Sequence, residues 1–143
     1  MDAPTAWHRL CDLIDDDEHL WPGVEAALRT SDDPWEALIG GLDDAGALAY
    51  LDTADTGMEL TDALAQLPRV FALQPDLDEV TDTDDLGAAI RAADSVLASA
   101  QLRLVELEES DANARALVVV PADTLAELER LAASVDHPLL LPH

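Results

Sequence analysis

Residues 117–120, Leu-Val-Val-Val, form an unbroken apolar run in which three of the four side chains branch at Cβ. Branching stiffens χ1 and favours a pleated strand over a helix, and an apolar residue at every position means that both faces are covered. The run therefore predicts a central, doubly buried strand. The segment before it, "QLRLVEL" at 101–107, predicts its hairpin partner, joined through the polar "EESDAN" of residues 108–113. After the run, "PADTLAELERLAAS" places Leu125, Leu128 and Leu131 on one helical face. "HPLLLP", residues 137–142, reads as a last edge strand that Pro138 keeps short, because proline cannot donate to a ladder.

The first half of the chain is punctuated for helices. Residues 5–15 carry Trp7, Leu10, Cys11 and Ile14 at i, i+3, i+4, i+7, and a second helix follows the acidic break at 15–19, with Pro22 in its first turn. In "SDDPWEALIGG", Asp33 stands as N-cap, Pro34 at the first helical position and Glu36 at capping-box spacing, while Trp35, Leu38, Ile39 and Leu42 make an apolar face. Gly40 and Gly41 predict the end of that helix, which leaves Asp43 and Asp44 in a turn; were the helix to continue, both acids would oppose its dipole. "ALAYLD", 47–52, is apolar on both sides and reads as a strand inside the sheet.

Thr56 and Glu59 form a second capping-box pair before Leu60, Ala63, Leu64 and Leu67, in a helix that stops at Pro68. Residues 72–83 read as an acidic connection, and 84–98 as a helix with Leu86, Ile90, Ala93 and Leu97 inward. The sum is an α+β fold: N-terminal helices, then a small mixed sheet of about four strands covered by helices and including a C-terminal hairpin, helix and strand unit. A length of 143 residues suits a single domain.

Composition decides which partners such a fold would attract. The chain has 31 acidic residues against 7 basic ones, all arginine, for a net charge of −24, yet 49% of its residues are hydrophobic and periodically placed, so it should fold. A surface this acidic repels phosphate backbones and anionic lipids, which argues against nucleic-acid and membrane partners and favours a basic protein. No apolar run approaches the roughly 18 residues of a spanning helix. The start, "MDAPTAWHRLCDL", lacks the basic and apolar regions of a signal peptide, so the expected location is the cytoplasm. Cys11, the lone cysteine, belongs to the core stripe.

Chemistry-bearing patterns are few. Asp52 and Asp55 lie where a strand leads into a helix, a place where α/β folds often expose catalytic or metal-binding carboxylates, with Asp43, Asp44 and Tyr50 as candidate neighbours; capping is the commoner use of such acids. "DLDEVTDTDDLG" fails as a calcium loop, since counting from Asp82 puts Leu86 at the fifth position and Ala93 at the twelfth. His8, His19, His137 and His143 have no metal-ligand spacing and suit surface roles. Without G-x-S-x-G, a phosphate loop or any lysine, kinase-like, P-loop and pyridoxal-phosphate chemistries are excluded, and no cofactor is expected. Trp7 and Trp35 lie on core faces. Trp21, beside Asp15, Asp16, Asp17 and Glu18, is the candidate exposed anchor for a partner.

The run "WEALIGGLDDAGALAYLDTADTGMELTDALAQLPRV", residues 35–70, with "LVVVPAD", 117–123, resembles an uncharacterised bacterial family of small acidic proteins catalogued only as a domain of unknown function. The resemblance implies a small bacterial α+β protein and carries neither an activity nor catalytic residues. From the residues themselves two readings remain. One is a non-enzymatic interaction protein, such as an immunity or inhibitor protein, steered to a basic partner. The other is a metal-assisted hydrolase or small-ligand binder using Asp52, Asp55 and nearby acids. Whether the chain acts as monomer or dimer is open.

Overall fold

The computed structural model describes residues 2–109 and 111–141. In chain order the elements are α1 (Ala3–Ile14), α2 (Leu20–Thr30), α3 (Pro34–Asp44), β1 (Ala49–Asp52), α4 (Gly57–Ala65), α5 (Pro68–Leu73), α6 (Asp78–Thr81), α7 (Leu86–Ala98), β2 (Leu102–Leu107), β3 (Ala114–Pro121) and α8 (Leu125–Ser134). The α+β class is as expected, with helices dominating a small sheet. Among the described residues the sheet has three strands in the order β1-β3-β2, all antiparallel. The expected mixed sheet of about four strands is corrected on both counts.

β3 is the central strand, and its side chains alternate between two cores. Ala116, Val118 and Val120 face a cluster built from α1, α2, α3 and α8, with Trp7, Leu10, Trp35, Leu38 and Leu128 among its members. Leu117 and Val119 face the other cluster, built from α4 to α7, where Leu60, Leu64, Ile90 and Leu97 pack. That is why the Leu-Val-Val-Val run shows no alternation. Each of these valines and leucines contributes about 1.5–3 kcal/mol by leaving water.

The segment expected as a last strand supplies only one bridge, in which Leu140 and Glu106 exchange hydrogen bonds of 2.9 and 3.0 Å on the outer edge of β2. The His137 amide still bonds back to the Ala132 carbonyl at the end of α8, and Pro138 has no amide to give, so little chain is left for a ladder. β1 is likewise an edge strand rather than an interior one: it pairs with β3 alone, burying Ala49 and Leu51 and exposing Tyr50 and Asp52.

α3 begins where expected, with the Asp33 carboxylate accepting the Trp35 amide at 2.9 Å. It does not end at Gly40 and Gly41 but runs on to Asp44. A Cβ at Gly41 would stand 2.8 Å from Leu20 Cδ1, so this glycine serves the close approach of α2 and α3. The stop falls at Gly46, whose φ of +70° lets its amide reach the Asp43 carbonyl (3.0 Å) and the Ala47 amide reach that of Leu42 (2.9 Å), a Schellman closure. Asp43 and Asp44 therefore occupy the last turn of a helix, against its dipole. The connection at 72–83 contains the end of α5 and all of α6.

Hairpin β2–β3, α7 and α8 lie as the periodicity predicted. α4 starts with the predicted capping box: the Glu59 carboxylate accepts the Thr56 amide at 2.9 Å and the Thr56 hydroxyl as well. Those bonds hold the Glu59 carboxyl below its ordinary range.

Candidate functional site

The two carboxylates singled out for metal chemistry do meet, as parts of a turn. Asp55 accepts the Asp52 amide at 2.9 Å, Asp52 accepts the Ala54 amide at 2.8 Å, and the Asp55 amide donates to the Asp52 carbonyl at 2.9 Å. The Thr53 amide donates to Asn113 at 2.9 Å, which fastens this turn to the far end of the hairpin. Among the described residues, no three histidines, cysteines or carboxylates stand close enough together to hold a metal ion. Asp43 and Tyr50 line an open groove of about 360 Å³ between α3, β1 and α4, together with Gln66; Asp44 is exposed and, like Asp52 and Asp55, lies outside that lining. Partial burial, then the charges of Glu109 and Asp111, push the Tyr50 phenol above its ordinary value.

The acidic run between α1 and α2 splits into two kinds of residue. Asp15 accepts the Asp17 amide at 3.1 Å and Asp17 accepts the His19 amide at 2.8 Å, so both shape the turn. Asp16 and Glu18 instead stand in solvent, Asp16 at 3.3 Å from Arg69 Nη2 and Glu18 at 3.8 Å from His19 Nε2. Trp21 is half-buried, because its ring packs on the α1–α2–α3 core and stacks face to face on His8, with centroids 4.5 Å apart.

Three features escaped sequence reasoning. Arg69 sends Nη1 to the carbonyls of Val119 (2.7 Å) and Ile14 (3.2 Å), joining α5 to β3 and to the end of α1. His137 is no surface histidine: it stacks on Trp35 at 4.5 Å, while Trp35 Nε1 donates to the Glu108 carbonyl at 2.8 Å. His143 lies outside the described residues. The third is the solvent-facing Phe71, the single phenylalanine in the chain. Its position two residues after an arginine and amid acidic segments was a visible signal; the contacts of Arg69 and His137 had none, since they reach across 50 or more residues of sequence.

Cys11 and the two tryptophans read as core are core. Burial, with Asp12 adding to it, pushes the Cys11 thiol up to about 12, which removes it as a nucleophile at neutral pH.

Charge is distributed unevenly. Five of the seven arginines already hold carboxylates of this same chain: Arg9 with Glu127, Arg29 with Glu25, Arg69 with Asp16, Arg103 with Asp94 and Arg115 with Glu106. Arg103 joins β2 to α7 and Arg115 joins β3 to β2, and both pairs are half-buried. Among the described residues, no helix is long and apolar enough to cross a membrane.

No curated protein and no solved structure matches the chain. A family match extends over residues 6–142 and so takes in every strand, both cores and the acidic turns described above, without bringing an activity with it. On that coverage, the chain belongs to the family described as Domain of unknown function (DUF6630).

Proposed function

We propose that this protein is a non-enzymatic, cytoplasmic interaction module that recognises a basic protein, in the manner of an immunity or inhibitor protein. The observation that carries the reading is the internal use of arginine. With five of the seven guanidinium groups engaged by the chain's own carboxylates, at most two, Arg91 and Arg130, are left to offset the other 26 of its 31 acids, and the net charge is −24. Such a field extends about 10 Å into 0.1 M salt, speeds encounter with a cationic partner and repels wrong ones. The turn between α1 and α2 offers the contact, with Asp16 and Glu18 exposed and Trp21 beside them as a half-covered aromatic anchor. The metal-hydrolase alternative needs at least three converging oxygen ligands, and nothing in the turn at Asp52 and Asp55 supports it.

The test is a pull-down from the source lysate at low and moderate salt, with mass spectrometry of what is retained. Its control is the triple variant Asp15→Asn, Asp16→Asn, Asp17→Asn, in which the amide oxygens still accept the turn's backbone bonds while the charge is gone. The expected result is one basic protein, lost at higher salt and lost in the variant. Specific capture of nothing, or retention indifferent to both changes, would refute the reading.

A further inference from the structure

Phe71 stands in solvent at 66% exposure, and Leu73, on the same short helix α5, at 43%. The opposite side of α5 is anchored: Val70 is buried, and Arg69 turns its guanidinium inward to Val119 and Ile14. Beyond α5 the chain turns at Gln74 and Pro75 and dips back to the buried Leu77. This turn and the end of α4 enclose an apolar groove of about 260 Å³, floored by Val70 and Leu77 and walled by Ala65, Phe71 and Pro75. Met58, 58% exposed, shares a face of α4 with Asp62 and Ala65 at i, i+4 and i+7, which extends the apolar surface along that helix.

The chain bordering the groove is acidic, with Asp62, Asp76 and Asp78 all exposed. Asp76 and Asp78 bracket Leu77, and Asp62 precedes Ala65 by one helical turn. Between residues 55 and 90 the sequence holds nine carboxylates and a single cation, Arg69, which is the one turned inward. A second copy of this chain would bring two such borders together, and an anionic lipid surface would meet the same repulsion. A cationic segment is attracted by these bordering acids, and a hydrophobic side chain on it finds the floor.

We infer that this groove docks a cationic segment of the basic partner, an aliphatic or aromatic side chain entering against Phe71 and Pro75 while lysine or arginine meets the nearby Asp62, Asp76 and Asp78. The inference rests on the interaction reading above and adds the place and the chemistry of recognition.

The experiment titrates the full chain with two synthetic peptides of equal charge, an amphipathic lysine–leucine helix and its lysine–serine counterpart. Affinity is read by calorimetry and location by backbone amide shifts. The lysine–leucine peptide should move the amides of residues 70–77 and bind at least about tenfold tighter than the serine peptide, and the double variant Phe71→Ser, Leu73→Ser should abolish that difference. Both substituted side chains are exposed, so far-ultraviolet circular dichroism should be unchanged. Equal affinity for the two peptides, an unaffected double variant or shifts confined to residues elsewhere would overturn the groove while leaving the acidic-surface reading intact. Absence of binding by either peptide at low salt would overturn both. Self-association abolished by Phe71→Ser would give the groove to a second copy and also overturn the inference.

Discussion

Replacing Arg69 by methionine tests the joint between the two cores. Carbonyls along β3 alternate in direction: Asn113 faces the β1 side, where it accepts the Thr53 amide, so by a period of two Val119 faces the same side. β1 ends at Ala49, opposite Leu117, and the Val119 carbonyl therefore lies past the end of the ladder. Arg69 Nη1 fills the gap at 2.7 Å and also reaches the Ile14 carbonyl at 3.2 Å, where α1 has run out of amides. Its third partner, Asp16, is 87% exposed and contributes little.

Methionine keeps most of the aliphatic stem but leaves both carbonyls without a donor in a site where the arginine itself is only 16% exposed. Each orphaned acceptor costs about 1–3 kcal/mol, so Arg69→Met should lose about 2–6 kcal/mol. With a slope of about 2 kcal/mol per molar urea for a chain of this size, the midpoint should fall by about 1–3 M. Urea at fixed ionic strength is the right denaturant, since guanidinium chloride would screen the acidic surface at the same time. Trp7 and Trp35, both buried, report the transition by fluorescence. Asp16→Asn is the control and should cost under about 1 kcal/mol. The reasoning is refuted if Arg69→Met costs less than about 1 kcal/mol, or if its loss disappears at high salt, the mark of a surface ion pair.

Other outcomes follow from the same structure. Gly57→Ala should unfold the protein or cost more than about 3 kcal/mol in urea melts, because a Cβ there would stand 1.8 Å from the Val80 carbonyl oxygen and 2.5 Å from that of Thr83. Gly46→Ala should cost about 1 kcal/mol through its φ of +70°, whereas Gly40→Ala, with nothing within 4 Å of the added carbon, should be neutral or stabilising. Cys11 should resist a thiol reagent at neutral pH until the chain is unfolded. Since its folded-state pKa is raised from 9.0 to about 12, its contribution to stability is complete below pH 9 and should fall as pH climbs toward 12, a loss that Cys11→Ala removes from the pH profile. Thermal midpoints should rise with sodium chloride, because screening relieves the mutual repulsion of a chain with net charge −24; a flat salt response would show that the carboxylates repel one another little.

What the sequence determined by itself is whatever neighbours in the chain decide. Three adjacent valines cannot sit comfortably in a solvated or helical setting, so β3 was legible as the doubly buried centre of the sheet. Thr56 and Glu59 lie three residues apart and find each other in any start of α4, and the leucines of α8 fall on one face by spacing alone. The acidic, lysine-free composition likewise raised the expectation of a basic partner from charge alone. Tertiary structure decided everything that depends on which distant atoms come close. Gly41 reads as a helix stop until Leu20 is seen packed where its Cβ would be, and the helix then runs on to Asp44, with Gly46 closing it. "ALAYLD" is apolar enough for an interior strand, yet only β3 pairs with it, so Tyr50 faces solvent. Asp52 and Asp55 carry the right groups for a metal and are engaged by backbone amides instead. Arg69 and Phe71 differ by two positions on one short helix, and only the fold turns the first into a core clamp and the second outward as the wall of an apolar groove. Local propensity and hydrophobic period act over a few residues, whereas burial and charge pairing are set by contacts across the whole chain.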